Sequence, residues 1–132
     1  MKVILYMGIT ANGVIAKEDD DTSFISDVEW ESFKEMSKRT GNFIMGGRTY
    51  EVSAASNDFP YPDCLNIVMT KRPIENKWGD NVVITNKYPK EVLQLLEEKG
   101  FEIAFVGGGG KLNASFMKEN LIDEILLMQD FK

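Results

Sequence analysis

Apolar runs too short for a membrane span alternate with stretches of helical period along the whole chain. Val3-Ile4-Leu5-Tyr6-Met7 predicts a buried strand, and residues 27–40 carry the spacing of a helix. The next strand is expected at 42–45, followed by two more at 65–69 and 82–84. Between residues 90 and 99, Val92, Leu93, Leu95 and Leu96 form one helical stripe, and Gly100 closes it. A strand at 103–106, a helix at 112–119 and a last strand at 122–128 complete the pattern. Strands that are apolar throughout, rather than alternating with polar residues, are covered on both faces. The expectation is therefore one α/β domain over residues 1–132, with a mostly parallel sheet and helices on each side.

The helix at 27–40 has complete start and stop signals. Ser26 with Glu29 three residues later is a capping box, and Ile25 with Trp30 fits the hydrophobic staple around it. Gly41 stands where a left-handed C-terminal cap is wanted.

Composition narrows the chemistry. The 132 residues include 15 Lys+Arg against 21 Asp+Glu, a net charge of −6, so an extended phosphate backbone meets a repelling surface and a nucleic-acid partner is not expected. There is no histidine, which removes Ser-His-Asp and Cys-His catalysis and histidine zinc sites. One cysteine, Cys64, excludes an internal disulfide and a multi-thiolate metal site. No metal is expected; the acidic run Glu18-Asp19-Asp20-Asp21 reads as a solvated loop tip. The opening apolar run is far short of the roughly 20 residues that span a bilayer, and it lacks a good signal cleavage site. The expected setting is cytoplasmic, without a membrane partner.

Glycines and cations mark the strand ends. Met45-Gly46-Gly47-Arg48-Thr49 and Val106-Gly107-Gly108-Gly109-Gly110-Lys111-Leu112 each join a strand to a helix. Such junctions present unpaired N–H groups at a positive dipole end, which suits a pyrophosphate. The second cluster is no Walker loop, since Phe105 and Leu112 stand where Gly and Ser/Thr are required. Nor is it a Rossmann fingerprint, because Asn113 replaces the third small residue. A third strand ends in Thr70-Lys71-Arg72, a set able to clamp a phosphate monoester. Three anion-friendly turns in an acidic chain point to one long phosphorylated ligand across the strand ends. A dinucleotide with a 2′-phosphate has that shape.

These residues together resemble the dihydrofolate reductase-like superfamily, in particular the reductase domain of bifunctional riboflavin-biosynthesis deaminase-reductases. The match is carried by Thr10-Ala11-Asn12-Gly13-Val14-Ile15-Ala16, Ser23-Phe24-Ile25-Ser26, the stretch from Ile44 to Glu51, and Gly108-Gly109 with Leu112, Ser115-Phe116 and Leu121-Ile122-Asp123-Glu124. It covers essentially the whole chain. The resemblance implies NADPH as hydride donor and a pteridine- or pyrimidine-like substrate, as for a 5-amino-6-(5-phosphoribosylamino)uracil reductase. Gly46, Gly47, Arg48 and Thr49 would hold the pyrophosphate from one side, and Gly108, Gly109, Gly110, Lys111 and Leu112 from the other. Thr70, Lys71 and Arg72 would take the 2′-phosphate, while Gly8, Ile15 and Ala16 would flank the nicotinamide. A cis peptide is expected at Gly108-Gly109. A homodimer is implied, as is a further C-terminal strand pair, which this chain lacks up to Lys132.

The sequence departs from the family at two positions. Gly107 replaces a glutamate often found before the glycine pair, and Asn12 replaces the aspartate of the first loop. For the proton that must accompany a hydride, Asp27 and Glu29 are the carboxyl candidates, beside an ordered water. Glu29 has the capping box as a competing role. Two other readings stand beside the reductase. One is a true dihydrofolate reductase, against which the stretch from Glu18 to Ser23 lacks the Trp-Pro-rich loop. The other is a non-catalytic NADP-binding or assembly module.

Overall fold

A computed structural model describes residues 1–10, 27–55, 59–61, 63–107 and 110–130. The strands are β1 (Lys2–Thr10), β2 (Asn42–Gly46), β3 (Leu65–Met69), β4 (Val82–Thr85), β5 (Ile103–Val106) and β6 (Glu124–Asp130). The helices are α1 (Asp27–Thr40), α2 (Gly47–Ala55), α3 (Pro89–Glu98) and α4 (Gly110–Lys118). All strand pairs are parallel, in the order β4-β3-β2-β5-β1-β6.

Successive strand residues point to opposite faces, and each face has its own core. Val3, Leu5, Ile44, Ile67, Ala104 and Val106 pack with Val92, Leu93 and Leu96 of α3 and Leu112 and Phe116 of α4. Ile4, Tyr6, Phe43, Met45, Val68 and Phe105 pack on the other face with Tyr50 of α2, and Met36 of α1 lies against them. The result is the expected three-layer arrangement. It also explains why the strands read as unbroken apolar runs.

The helix boundaries follow local chemistry. Gly41, at φ +81°, ends α1, and its N–H donates to Ser37 O at 2.9 Å. Pro89 opens α3, where a missing N–H costs nothing. The Glu91 carboxylate accepts the Tyr88 N–H at 3.0 Å, and Gly100 at φ +92° closes the helix. The capping box expected at Ser26 lies outside the described residues.

Strand boundaries moved more. β1 runs on to Thr10, because β6 pairs with it as far as Asp130. β6 starts at Glu124 rather than at 122: Leu121 and Ile122 pack against the α3–α4 core. Asp123 then docks on β1, its carboxylate accepting the Val3 N–H at 2.7 Å and its own N–H donating to Val3 O at 2.9 Å.

Buried amides stitch the remaining gaps. β2 and β5 share a single register pair, Ile44 with Val106. Below it the Asn42 side chain takes over the ladder: its Nδ2 donates to Ile103 O at 2.7 Å and its Oδ1 accepts the Phe105 N–H at 3.1 Å. Asn66 likewise ties down the preceding turn through both backbone groups of Tyr61. Cys64 sits beside that turn, where burial pushes its thiol up to about 11, so it is no nucleophile at neutral pH.

Candidate functional site

In an all-parallel sheet every carboxyl end lies on one edge, and the turns after the strands share it. β2 passes into α2 on one face of the sheet, while its neighbour β5 passes into α4 on the other. Adjacent strands whose helices diverge to opposite faces open a crevice between them, the place where α/β sheets bind ligands. Two helix N-termini border that crevice, and neither α2 nor α4 has an acidic residue in its first turn. Their positive ends are thus left for an anion.

Gly46 ends β2 and Gly47 begins α2. Gly47 is needed for space, not for an unusual φ. A Cβ there would lie 2.9 Å from Thr70 Oγ1, 3.2 Å from Thr70 Cβ and 3.3 Å from Arg72 Nη2. The turn after β3 therefore folds directly onto the start of α2. The Arg72 N–H donates to Thr70 Oγ1 at 3.1 Å, and the Arg72 guanidinium forms an ion pair with Glu51 of α2. Arg48, Lys71, Arg72 and Lys111 are exposed along this edge, and Thr49 is half-buried.

On the β5 side, Gly107 also answers to packing. Its N–H donates to Ile44 O at 3.2 Å, and a Cβ on it would meet Phe43 Cε1 and Tyr6 Cβ at 3.1 Å and Tyr6 O at 3.2 Å. The bulk of Tyr6 and Phe43 accounts for glycine at this position. Gly110 opens α4 and Lys111 follows it on the exposed side. Leu112 is different: its side chain is buried in the α3–α4 core, so a ligand could use only its backbone. Gly8 lies on β1 beyond Leu5, opposite Met128, toward the same carboxyl edge. α1 runs back from this edge to the start of β2, which puts its first turn, with Asp27 and Glu29, at the edge as well. The side chains of Asp27 and Glu29 lie outside the described residues, as do Ile15, Ala16, Gly108 and Gly109 and the cis peptide expected there.

The described parts thus line up in strand order. The Thr70-Lys71-Arg72 turn follows β3, the glycine turns follow β2 and β5, and Gly8 is on β1. At about 4.8 Å per strand, β3 to β1 spans roughly 14 Å, the scale of an extended dinucleotide. Glu51 was not singled out from the sequence. The available signal was helical spacing, which sets residue 51 one turn above Gly47. Among the described residues no group of three or more His, Cys, Asp or Glu could hold a metal ion, and no helix is long and apolar enough to cross a membrane.

The family model described as RibD C-terminal domain matches residues 1–130. A protein of Bacillus subtilis (strain 168), called uncharacterized protein YwjB, is 31% identical over 131 residues, covering 96% of this chain and 74% of its own length. Among solved structures, a putative riboflavin biosynthesis protein from Shewanella sp. PV-4 matches with TM-score 0.75 at 23% identity, over 98% of this chain and 76% of that one. A Thermotoga maritima diaminohydroxyphosphoribosylaminopyrimidine deaminase/5-amino-6-(5-phosphoribosylamino)uracil reductase matches with TM-score 0.69 at 17% identity. That match covers 99% of this chain and 45% of the longer protein. At these identities the two structures establish the fold.

Proposed function

This chain belongs to the RibD C-terminal domain family, and from that premise we propose that it is an NADPH-dependent reductase acting on a pteridine- or pyrimidine-like heterocycle. Membership in a family of reductase domains supports an oxidoreductase of riboflavin-pathway type. One observation carries the finer reading: the Thr70–Arg72 turn after β3, the two glycine turns after β2 and β5, and Gly8 on β1 follow one another across the sheet in the order that a 2′-phosphate, a pyrophosphate and a nicotinamide take along one molecule.

The residues present fit that ligand. Because Gly47 has no Cβ, the Thr70–Arg72 turn closes directly onto the α2 start and brings its hydroxyl and guanidinium beside that helix end. The α2 start, with Gly46, Arg48 and Thr49, would hold the pyrophosphate from one side. The α4 start, with Gly108, Gly109, Gly110 and Lys111, would hold it from the other. Lys71 and Arg72 would grip the 2′-phosphate, since a guanidinium binds phosphate through two parallel hydrogen bonds. When bound, NADPH supplies a hydride from its nicotinamide, beside Gly8. The matching proton comes from a carboxyl at the first turn of α1, Asp27 or Glu29, or from an ordered water.

Titrating NADPH and NADH against the protein tests this reading. Replacing Lys71 and Arg72 by alanine is expected to weaken NADPH by roughly tenfold to a hundredfold, the loss of charge-assisted bonds to one phosphate. NADH binding should barely change. Equal affinity of the wild type for both, or equal weakening of both in the variant, would make these residues a solvated turn.

We also propose a homodimer. Among the described residues β6 is the outermost strand on its side of the sheet and Ile125 on it is 47% exposed, an apolar surface that a second copy would cover. Sedimentation at micromolar concentration should give the dimer mass; a monomer mass argues against it.

A further inference from the structure

Resting on the cofactor reading above, we propose that Glu51 is a positioning residue that acts through Arg72, as an internal counter-anion the 2′-phosphate must displace. It thereby sets how strongly the site prefers the phosphorylated dinucleotide. Glu51 follows Gly47 by four residues on α2, so the two share one side of the helix. Helical side chains lean toward the N-terminus, which aims the Glu51 carboxylate at the end of α2 where Gly47 sits. There it pairs with Arg72 Nη2, the same nitrogen that borders the space above Gly47. A protein carboxylate thus already engages the guanidinium, at the end of a helix where anions are favoured.

The pair is open to competition. The Arg72 and Glu51 side chains are 60% and 49% accessible, and ion pairs this exposed contribute little net stability. A phosphate carries up to about two negative charges and offers two oxygens to the planar guanidinium, so it outbids one carboxylate. Displacing Glu51 has a cost, however. The Arg72 charge is partly neutralised before the ligand arrives, and the freed carboxylate repels the incoming phosphate. A ligand without the 2′-phosphate need not displace Glu51 from Arg72, and any repulsion at the shared pyrophosphate acts on both dinucleotides alike. Glu51 therefore lowers affinity for NADPH much more than for NADH.

Calorimetric titration of NADPH and NADH against wild type, Glu51→Gln, Arg72→Ala and the double variant tests the idea, with thermal melts to confirm folding. Glu51→Gln is expected to tighten NADPH by about three- to tenfold, from relief of competition and of like-charge repulsion, with NADH within about twofold. In the Arg72→Ala background the same change should bring no gain. Glu51→Ala, as a second variant, should repeat the pattern. Weaker or unchanged NADPH binding in both Glu51 variants, with Arg72→Ala still losing NADPH affinity, overturns the role of Glu51 and leaves the cofactor reading standing. Tightening that persists without Arg72 also overturns it, since the effect is then a general field. A wild type that does not distinguish the dinucleotides, or an Arg72→Ala variant that binds NADPH unchanged, overturns the cofactor reading and this proposal with it.

Discussion

Replacing Asn42 by alanine is expected to lower unfolding free energy by about 3–5 kcal/mol, because buried polar partners left unsatisfied cost about 1–3 kcal/mol each. Asn42 is fully buried. Its amide is the bridge between β2 and β5 below their one register pair, bonded to Ile103 O, Thr40 O and the Phe105 N–H. Alanine removes the bridge and deprives three backbone groups of their partner. Domains are stable by only about 5–15 kcal/mol, so the variant should unfold at much lower urea. Urea denaturation with an unchanged slope measures it. A shift below about 1 kcal/mol would mean that the backbone closes the gap unaided.

Gly47→Val is expected to abolish dinucleotide binding, NADPH and NADH alike, by at least about a hundredfold, equivalent to about 2.7 kcal/mol. The backbone at Gly47 is not left-handed, so the loss is one of space. The first added carbon would already stand 2.9 Å from Thr70 Oγ1 and 3.2 Å from Thr70 Cβ. A threonine side chain is too short to swing clear. Two further methyl groups would displace the turn after β3 from the α2 start and block approach to its N–H groups. The variant should stay folded, since valine is tolerated in a first helical turn. The contrast with the Lys71/Arg72 double variant is the diagnostic. That variant should lose only NADPH, whereas a damaged pyrophosphate grip loses both. A Gly47→Val protein that binds NADPH within about threefold of wild type would put the pyrophosphate elsewhere.

Much of the candidate site could be located from the sequence because its signals are local. Glycines after apolar runs, the hydroxyl and cations of Thr70-Lys71-Arg72, and the helix start after Gly47 each depend on a few neighbouring residues. Backbone φ/ψ and capping act over the same short range. Element ends were less legible. β6 began at Glu124 because Asp123 docks on Val3, a contact across 120 residues that no local pattern encodes. The resemblance put Leu112 among the pyrophosphate contacts; helical period turns its side chain into the core, a packing role that the place after the glycines does not reveal and that leaves its backbone for a ligand.

The sequence by itself determined which segments are strands and helices, that both sheet faces are covered, and which residue types stand at the strand ends. Hydrophobic period and turn chemistry are enough for that. Only the tertiary structure decided that β5 inserts between β2 and β1, which brings the two glycine turns side by side. Strand order depends on long-range packing of two cores and on the Asn42 bridge, where the competing arrangements share the same local pattern. Tertiary structure also decided that Arg72 meets Glu51, since residues distant in sequence become partners only when the turn after β3 folds onto α2.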